Sequence, residues 1–328
     1  MTRPTCIDLF AGAGGLSLGL KQAGWQTQMA VDYDKGACET YRRNFPSVEV
    51  FQGDIRKVDW RHLAGKIELV AGGPPCQPFS VAGNQKADQD SRDMLPEFVR
   101  AVSVIQPKLF LMENVAGLVS PRHSPYLASR LQQLSLLGYE LDFKVLDAAD
   151  YGVPQHRRRV IVIGSRVGSI SFPVPTHGTG GKPFVSSEAA ILDSPRDAPN
   201  RAIVTFAKNP IMRPSPWAGM LVNGGGRPIN LSEPSQTIPA SAGGNRTHIV
   251  DERKVLFDYH SYLLNGGKPK KGLVAGVRRL TLRESARLQT FPDAFTFVGE
   301  SSSQYRQVGN AVPPLLGRAV GEALMSTV

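Results

Sequence analysis

The stretch Thr5-Cys-Ile-Asp-Leu-Phe-Ala-Gly-Ala-Gly-Gly-Leu-Ser-Leu-Gly19 decides the fold. Its first six residues are mostly apolar and suit a buried strand over 5–10. Glycines at 12, 14 and 15 then allow a tight turn, and apolar spacing resumes as a helix over 16–23. Working outward, strands are expected at 28–31, 48–52, 68–71, 108–112, 140–146 and 159–163, with a helix over 124–137. Short apolar runs alternating with amphipathic stretches indicate an α/β domain with a doubly wound, mostly parallel sheet.

The texture changes near residue 166. From about 173 to 275 the chain is rich in Pro, Gly, Asn and Ser, with weak periodicity. This predicts an irregular, loop-dominated second domain rather than disorder, because apolar residues remain scattered through it. Order returns at Leu280, where Thr281-Leu-Arg-Glu284 reads as a capping box, and a last helix is expected over 313–327. The expected divisions are 1–172 for a catalytic and cofactor-binding domain, 173–277 for a recognition domain, and 278–328 for a segment bridging the two.

Residue chemistry narrows the function. The Gly12–Gly15 loop could cradle a nucleotide, a phosphate or nothing; no Gly-Lys-Ser/Thr ending follows, which argues against a P-loop. Asp32 and Tyr33 end the second strand, where an acid can bond ribose hydroxyls and an aromatic can stack on adenine. A plain surface turn fits them equally well. Gly72-Gly-Pro-Pro-Cys76-Gln-Pro-Phe-Ser80 follows a strand directly, and two prolines would present the Cys76 thiol rigidly. Nearby cations or a helix N-terminus would favour its thiolate. Cys6 and Cys38 lie in strand-like and helix-like segments and read as buried and inert. Glu113 ends an apolar strand, where desolvation would help it hold a proton; a carboxylate paired with an arginine is the plainer alternative. Strand alternation should send Arg157 and Arg159 to one face and Arg158 to the other.

Composition excludes several classes. The 38 Lys+Arg against 28 Asp+Glu give a net +10, which suits a polyanionic partner. Three cysteines without CxxC spacing argue against a disulfide framework or a zinc site, and no metal is expected. No apolar run approaches the roughly 20 residues needed to span a bilayer. No signal peptide is seen, so a cytoplasmic enzyme without membrane association is expected.

Six motifs in order then spell a family: FAGAGG, GPPCQPFS, ENV, Gln-x-Arg-x-Arg at 155–159, RLTLRESARLQTFP and QVGNAVPP. The chain closely resembles the DNA (cytosine-5)-methyltransferases of the bacterial modification type over roughly 5–165 and 278–328. The resemblance implies a Rossmann-like S-adenosylmethionine-dependent methyltransferase fold. It implies that Phe10, Gly12, Gly14, Gly15, Asp32, Tyr33, Asp54, Ile55, Pro74, Leu95, Asn310 and Val312 hold S-adenosylmethionine, released as S-adenosylhomocysteine. It assigns Cys76 as nucleophile, Glu113 as the acid at the base, Arg159 as the contact to the cytosine carbonyl, and Arg157 as support.

The family's substrate is double-stranded DNA, from which the cytosine is flipped out, and the segment 80–92 reads as a mobile loop closing over it. Residues 175–275 carry twelve Lys/Arg against seven Asp/Glu, half of the net charge. Ser80, Arg92, Arg227, Thr237, Asn245 and Arg246 are the candidate DNA contacts, and Lys268, Lys270 and Lys271 the candidate backbone contacts. A monomer is expected, within a restriction-modification system that would include a cognate endonuclease. The competing readings are an RNA (tRNA) cytosine-5 methyltransferase on the same scaffold, a catalytically dead DNA-binding module, and a Rossmann dehydrogenase, which leaves the proline-locked Cys76 unexplained.

Overall fold

The computed structural model describes residues 3–75, 93–192, 198–241 and 243–327. It divides into two compact units. The first comprises Met1–Tyr151, Arg157–Thr176 and Ala311–Val328; the second comprises Gly152–His156 and His177–Asn310.

The first unit is an α/β layer structure. Strands β1 (Thr5–Leu9), β2 (Gln26–Asp32), β3 (Glu49–Gln52), β4 (Leu69–Gly72), β5 (Leu109–Val115), β6 (Glu140–Asp147) and β7 (Arg158–Ser165) form one sheet in the order β3-β2-β1-β4-β5-β7-β6. The first five strands pair in parallel; β7 runs antiparallel to both β5 and β6. Helices α1 (Gly15–Gln22), α2 (Lys35–Asn44), α3 (Leu95–Ile105) and α4 (Ser124–Ser135) supply the crossovers. The near-continuous apolar run in β5 reflects a strand covered on both faces. Ile7, Leu9, Val70, Phe98, Phe110 and Val162 lie in the main core cluster.

From β1 the chain winds one way to β2 and β3, then returns to add β4 and β5 on the other side. That reversal puts the carboxyl ends of β1 and β4 at a topological switch point, the position where open α/β sheets bind ligands.

The C-terminal helix Pro314–Met325 packs on α1. The approach is close enough that a Cβ at Gly19 would lie 2.5 Å from the Pro314 carbonyl oxygen. Trp25 Nε1 donates to the Gly321 carbonyl at 3.0 Å, a buried bond that ties this helix to the start of β2.

The second unit contains α5 (Ser187–Ile191), β8 (Phe206–Ile211), β9 (Met220–Val222), β10 (Ile249–Val250), α6 (Val255–Leu264), β11 (Arg278–Arg279), α7 (Leu282–Leu288) and α8 (Ser301–Asn310). Its β8–β9 and β10–β11 pairs are short and antiparallel. The capping box expected at α7 is present, with Thr281 and Glu284 bonding reciprocally. Helix α6 was not expected from the weak periodicity of this region. It starts because the Asp251 carboxylate accepts the Val255 and Leu256 N–H groups at 2.8 and 2.7 Å, satisfying donors that have no intrahelical partner. Among the described residues no helix is long and apolar enough to cross a membrane.

Candidate active site

The glycine loop sits at the carboxyl end of β1. Phe10 and Gly12 both have positive φ, +59° and +55°, so the chain turns sharply as it leaves the strand. A Cβ at Gly12 would meet nothing within 4 Å, which leaves open space above the loop. Gly14, also left-handed, has no such space: a Cβ there would lie 2.6 Å from Phe45 and 2.9 Å from Tyr41. Gly15 begins α1 and is buried. Asp32 closes β2 beside this loop. One carboxylate oxygen accepts the Gly12 N–H at 2.8 Å and the other accepts the Asp34 N–H at 2.8 Å. Burial pushes the Asp32 pKa up, and the backbone donors oppose that shift. Each oxygen keeps lone-pair capacity for a further donor. The Tyr33 ring is 80% exposed next to it.

Behind the loop lies a buried polar chain. Tyr41 donates to Ser17 Oγ at 2.6 Å, and Ser17 donates to Asp8 Oδ2 at 2.6 Å. Burial raises the Asp8 pKa to about 7, with Asp32 adding a smaller push in the same direction.

Other predicted cofactor residues are placed as follows. Asp54 accepts the Arg56 N–H and holds the Arg56 guanidinium at 2.7 Å, while Ile55 is buried in the core cluster. Pro74 is buried and its carbonyl accepts Asn114 Nδ2 at 2.9 Å. Leu95 is fully buried at the start of α3. Val312 is buried in the first unit, whereas Asn310 is the exposed last residue of α8 in the second.

The carboxyl end of β5 carries the second cluster. Val115 pairs with Arg159 and Glu113 with Ile161, so Glu113 and Arg159 lie two residues apart along one face. Their side chains meet with Arg159 Nε 2.9 Å from Glu113 Oε1, and both are nearly buried. Arg159 Nη1 also donates to the Arg158 carbonyl at 2.8 Å. The arginine pairing considered as the plainer alternative for Glu113 is therefore what the fold contains. Glu113 Oε2 would lie 3.1 Å from a Cβ at Gly73, which brings the acid against the strand end leading into Pro74 and Pro75. Arg157 is buried and Arg158 exposed, matching the expected alternation. Burial, then the neighbouring Arg159 charge, drives the Arg157 pKa well down, and Glu113 partly offsets this. Cys76, Ser80 and Arg92 lie outside the described residues. Cys6 and Cys38 are buried, and burial pushes both thiols to a pKa of about 12.

A sequence profile of the C-5 cytosine-specific DNA methylase family matches residues 4–326. The chain belongs to that family. It is 37% identical to the Type II methyltransferase M1.HphI of Haemophilus parahaemolyticus, over 98% of this chain and 86% of the relative. A prophage-encoded DNA modification methyltransferase from E. coli shares the fold at TM-score 0.70 and 24% identity, covering 99% of both chains. A Spodoptera frugiperda DNMT2 structure superposes at TM-score 0.71 with 20% identity, again over 99% of both. This DNA methylase is thus a DNA (cytosine-5-)-methyltransferase on a mixed α/β methyltransferase fold.

In the second unit of the methylase, Asn245 and Arg246 sit exposed in the turn Gly244–Arg246. The Arg227 N–H donates to His248 Nδ1 at 3.4 Å. Thr237 is exposed, donates to the His156 carbonyl at 2.7 Å, and offers its own carbonyl to His248 Nε2. Three buried polar residues had been given no part there. Gln155 joins the Ile238 N–H to the Leu288 carbonyl and the Gln289 side chain. His248 bridges Arg227 and Thr237, and Arg279 is 2% exposed. Gln155 was visible only as the first letter of a motif; His248 carried no local signal.

Proposed function

We propose that this methylase transfers a methyl group from S-adenosylmethionine to carbon 5 of a cytosine turned out of double-stranded DNA, through a covalent adduct with Cys76. The observation that carries the reading is the Glu113–Arg159 pair beside Gly73, at the strand end that leads within three residues to Cys76. A carboxyl and a guanidinium held side by side match ring nitrogen 3 and the adjacent carbonyl oxygen of a cytosine edge.

The residues fit the cofactor. Open space lies over Gly12, and the Asp32 carboxylate faces the loop with acceptor capacity left for ribose hydroxyls. Phe10, Gly14, Gly15, Tyr33, Asp54, Ile55, Pro74, Leu95, Asn310 and Val312 complete the proposed cofactor set. Bound S-adenosylmethionine supplies an electrophilic methyl group on a sulfonium centre.

The chain's own residues do the rest. Extruding the base costs a few kcal/mol, which favourable contacts in the pocket must offset. The Cys76 thiolate adds to carbon 6, breaking ring aromaticity and making carbon 5 enamine-like. Glu113 donates a proton or hydrogen bond to nitrogen 3, and Arg159 holds the carbonyl oxygen as negative charge builds there. Arg157, buried just ahead of β7, supports Arg159. Loss of the carbon 5 proton then expels the thiolate.

Incubation with duplex DNA containing 5-fluorocytosine and S-adenosylmethionine tests this. The expected product is a denaturation-resistant protein–DNA adduct that Cys76→Ser does not form. An unmodified Cys76 after turnover, or an adduct only with tRNA, would overturn the reading.

A further inference from the structure

Two glycine-rich loops of the second unit touch backbone to backbone. One runs Asn223-Gly-Gly-Gly-Arg227, the other Gly243-Gly-Asn-Arg-Thr247. Gly224 has φ +76°, and a Cβ there would sit 1.9 Å from the Asn245 carbonyl oxygen. A Cβ at Gly226 would lie 2.1 Å from the Thr247 carbonyl oxygen and 2.8 Å from Arg279 Nη1. No side chain fits between the loops, so they have one mutual register.

Arg279 is inserted at this junction from β11. Its Nη1 donates to the Thr247 carbonyl at 2.9 Å; its Nη2 donates to the Asn223 carbonyl at 2.8 Å and to Asn223 Oδ1 at 2.9 Å. Asn223 is itself anchored by bonds with Thr205 and Ile203. Burying a guanidinium costs desolvation, which charge-assisted bonds to three acceptors offset. The fork geometry that reaches both loops belongs to arginine and not to lysine. At the other end of the first loop, His248 accepts the Arg227 N–H. The exposed tips, Asn245 and Arg246, together with the half-exposed Arg227, carry donors and no acid. The apolar cluster of this region, including Leu221, Val222 and Ile249, underlies the junction, and Ile249 pairs with Arg279 across β10 and β11.

We propose that Arg279 is a positioning residue for DNA reading, locking the two glycine loops so that Arg227, Asn245 and Arg246 meet base edges as one rigid surface. This rests on the reading that the second unit faces the DNA. Loosening the junction should let the tips accommodate more than one base.

The test expresses the wild type, Arg279→Lys and the tip variant Asn245→Ala/Arg246→Ala in a host without cytosine methylation. Bisulfite sequencing of a resident plasmid then reads the methylated word of each. The expected result is one word for the wild type and a degenerate word for both variants. For Arg279→Lys, kcat/KM on the wild-type word should also fall about ten-fold or more, the scale of one good base contact. An Arg279→Lys enzyme with the same word and rate would overturn the proposal. If the tip variant also keeps the word, the DNA-facing reading itself fails; if only the tip variant relaxes, Arg279 alone is misassigned.

Hydrogen exchange on the wild type needs no variant. The Arg227 and Thr247 amides, one in each loop, should open together. Protection factors differing by more than about ten-fold would overturn the shared lock.

Discussion

The two units are held together by different means. The first is fixed by burial of a seven-stranded sheet between helices, with Asp32 and Glu113 at the carboxyl ends of β2 and β5. The second has short strand pairs and small apolar clusters, and single buried polar side chains, Gln155, His248 and Arg279, join segments far apart in sequence. A sheet holds reacting groups still; a loop assembly pinned at a few points lets surface residues vary without disturbing the pins. On the function proposed above, the first unit would carry the chemistry and the second the reading of the DNA word.

The sharpest way to break this division is Cys76→Ser. It should lower methyl transfer about a thousand-fold or more while DNA affinity by gel shift stays near normal. Retained turnover would remove the first unit from the chemistry. Glu113→Gln should cost roughly a hundred-fold in kcat with an unchanged methylated word, the range for losing a general acid. A shifted word in that variant would show that the two tasks are not separable.

Stability should respond to pH with opposite signs in the two units. The folded pKa of Asp8, about 7, is raised above the ordinary 3.8, so its contribution is present below pH 4 and lost as pH climbs through 7. The loss is on the order of 4 kcal/mol, and Asp8→Asn should abolish it. Burial instead lowers the His248 pKa, because its charged form is desolvated. The second unit should therefore lose stability as pH falls below 6.5, through protonation of the unfolded chain. Hydrogen exchange resolved by segment at pH 5 and pH 8 checks both signs. Equal slopes in the two units would contradict them.

The smallest effect is expected at the exposed lysines. Lys270→Ala/Lys271→Ala should weaken DNA binding several-fold on every sequence and flatten the salt dependence by roughly two log units per log salt. Lys270 lies over the Tyr259 and Tyr262 rings, 5.8 and 5.2 Å from their centroids. An unchanged slope would take both lysines off the phosphate backbone.

What was legible in the chain follows the same division. Strand β1, its glycine turn and α1 were readable because apolar runs and glycines lie consecutively; the boundaries moved by a residue, to Leu9 and Gly15. That Glu113 pairs with an arginine was one of two readings, and it took the antiparallel register of β5 and β7 to bring Arg159 to it. Asn223 and Arg279 are 56 residues apart, and nothing local in either announces their bond. Helix α6 was missed because its capping carboxylate, Asp251, stands four and five residues ahead of the N–H groups it serves. Asn245 and Arg246 were readable as surface residues because they stand among glycines in a turn, and both are exposed.

The burial of Cys6 and Cys38 has a practical consequence. With both pKa values near 12, neither thiol offers an appreciable anion to an alkylating reagent at neutral pH. On the nucleophile role proposed for Cys76, iodoacetamide uptake by the native protein should be confined to that residue. A mass shift of a single carbamidomethyl group is the expected outcome, and it needs neither mutagenesis nor a labelled substrate.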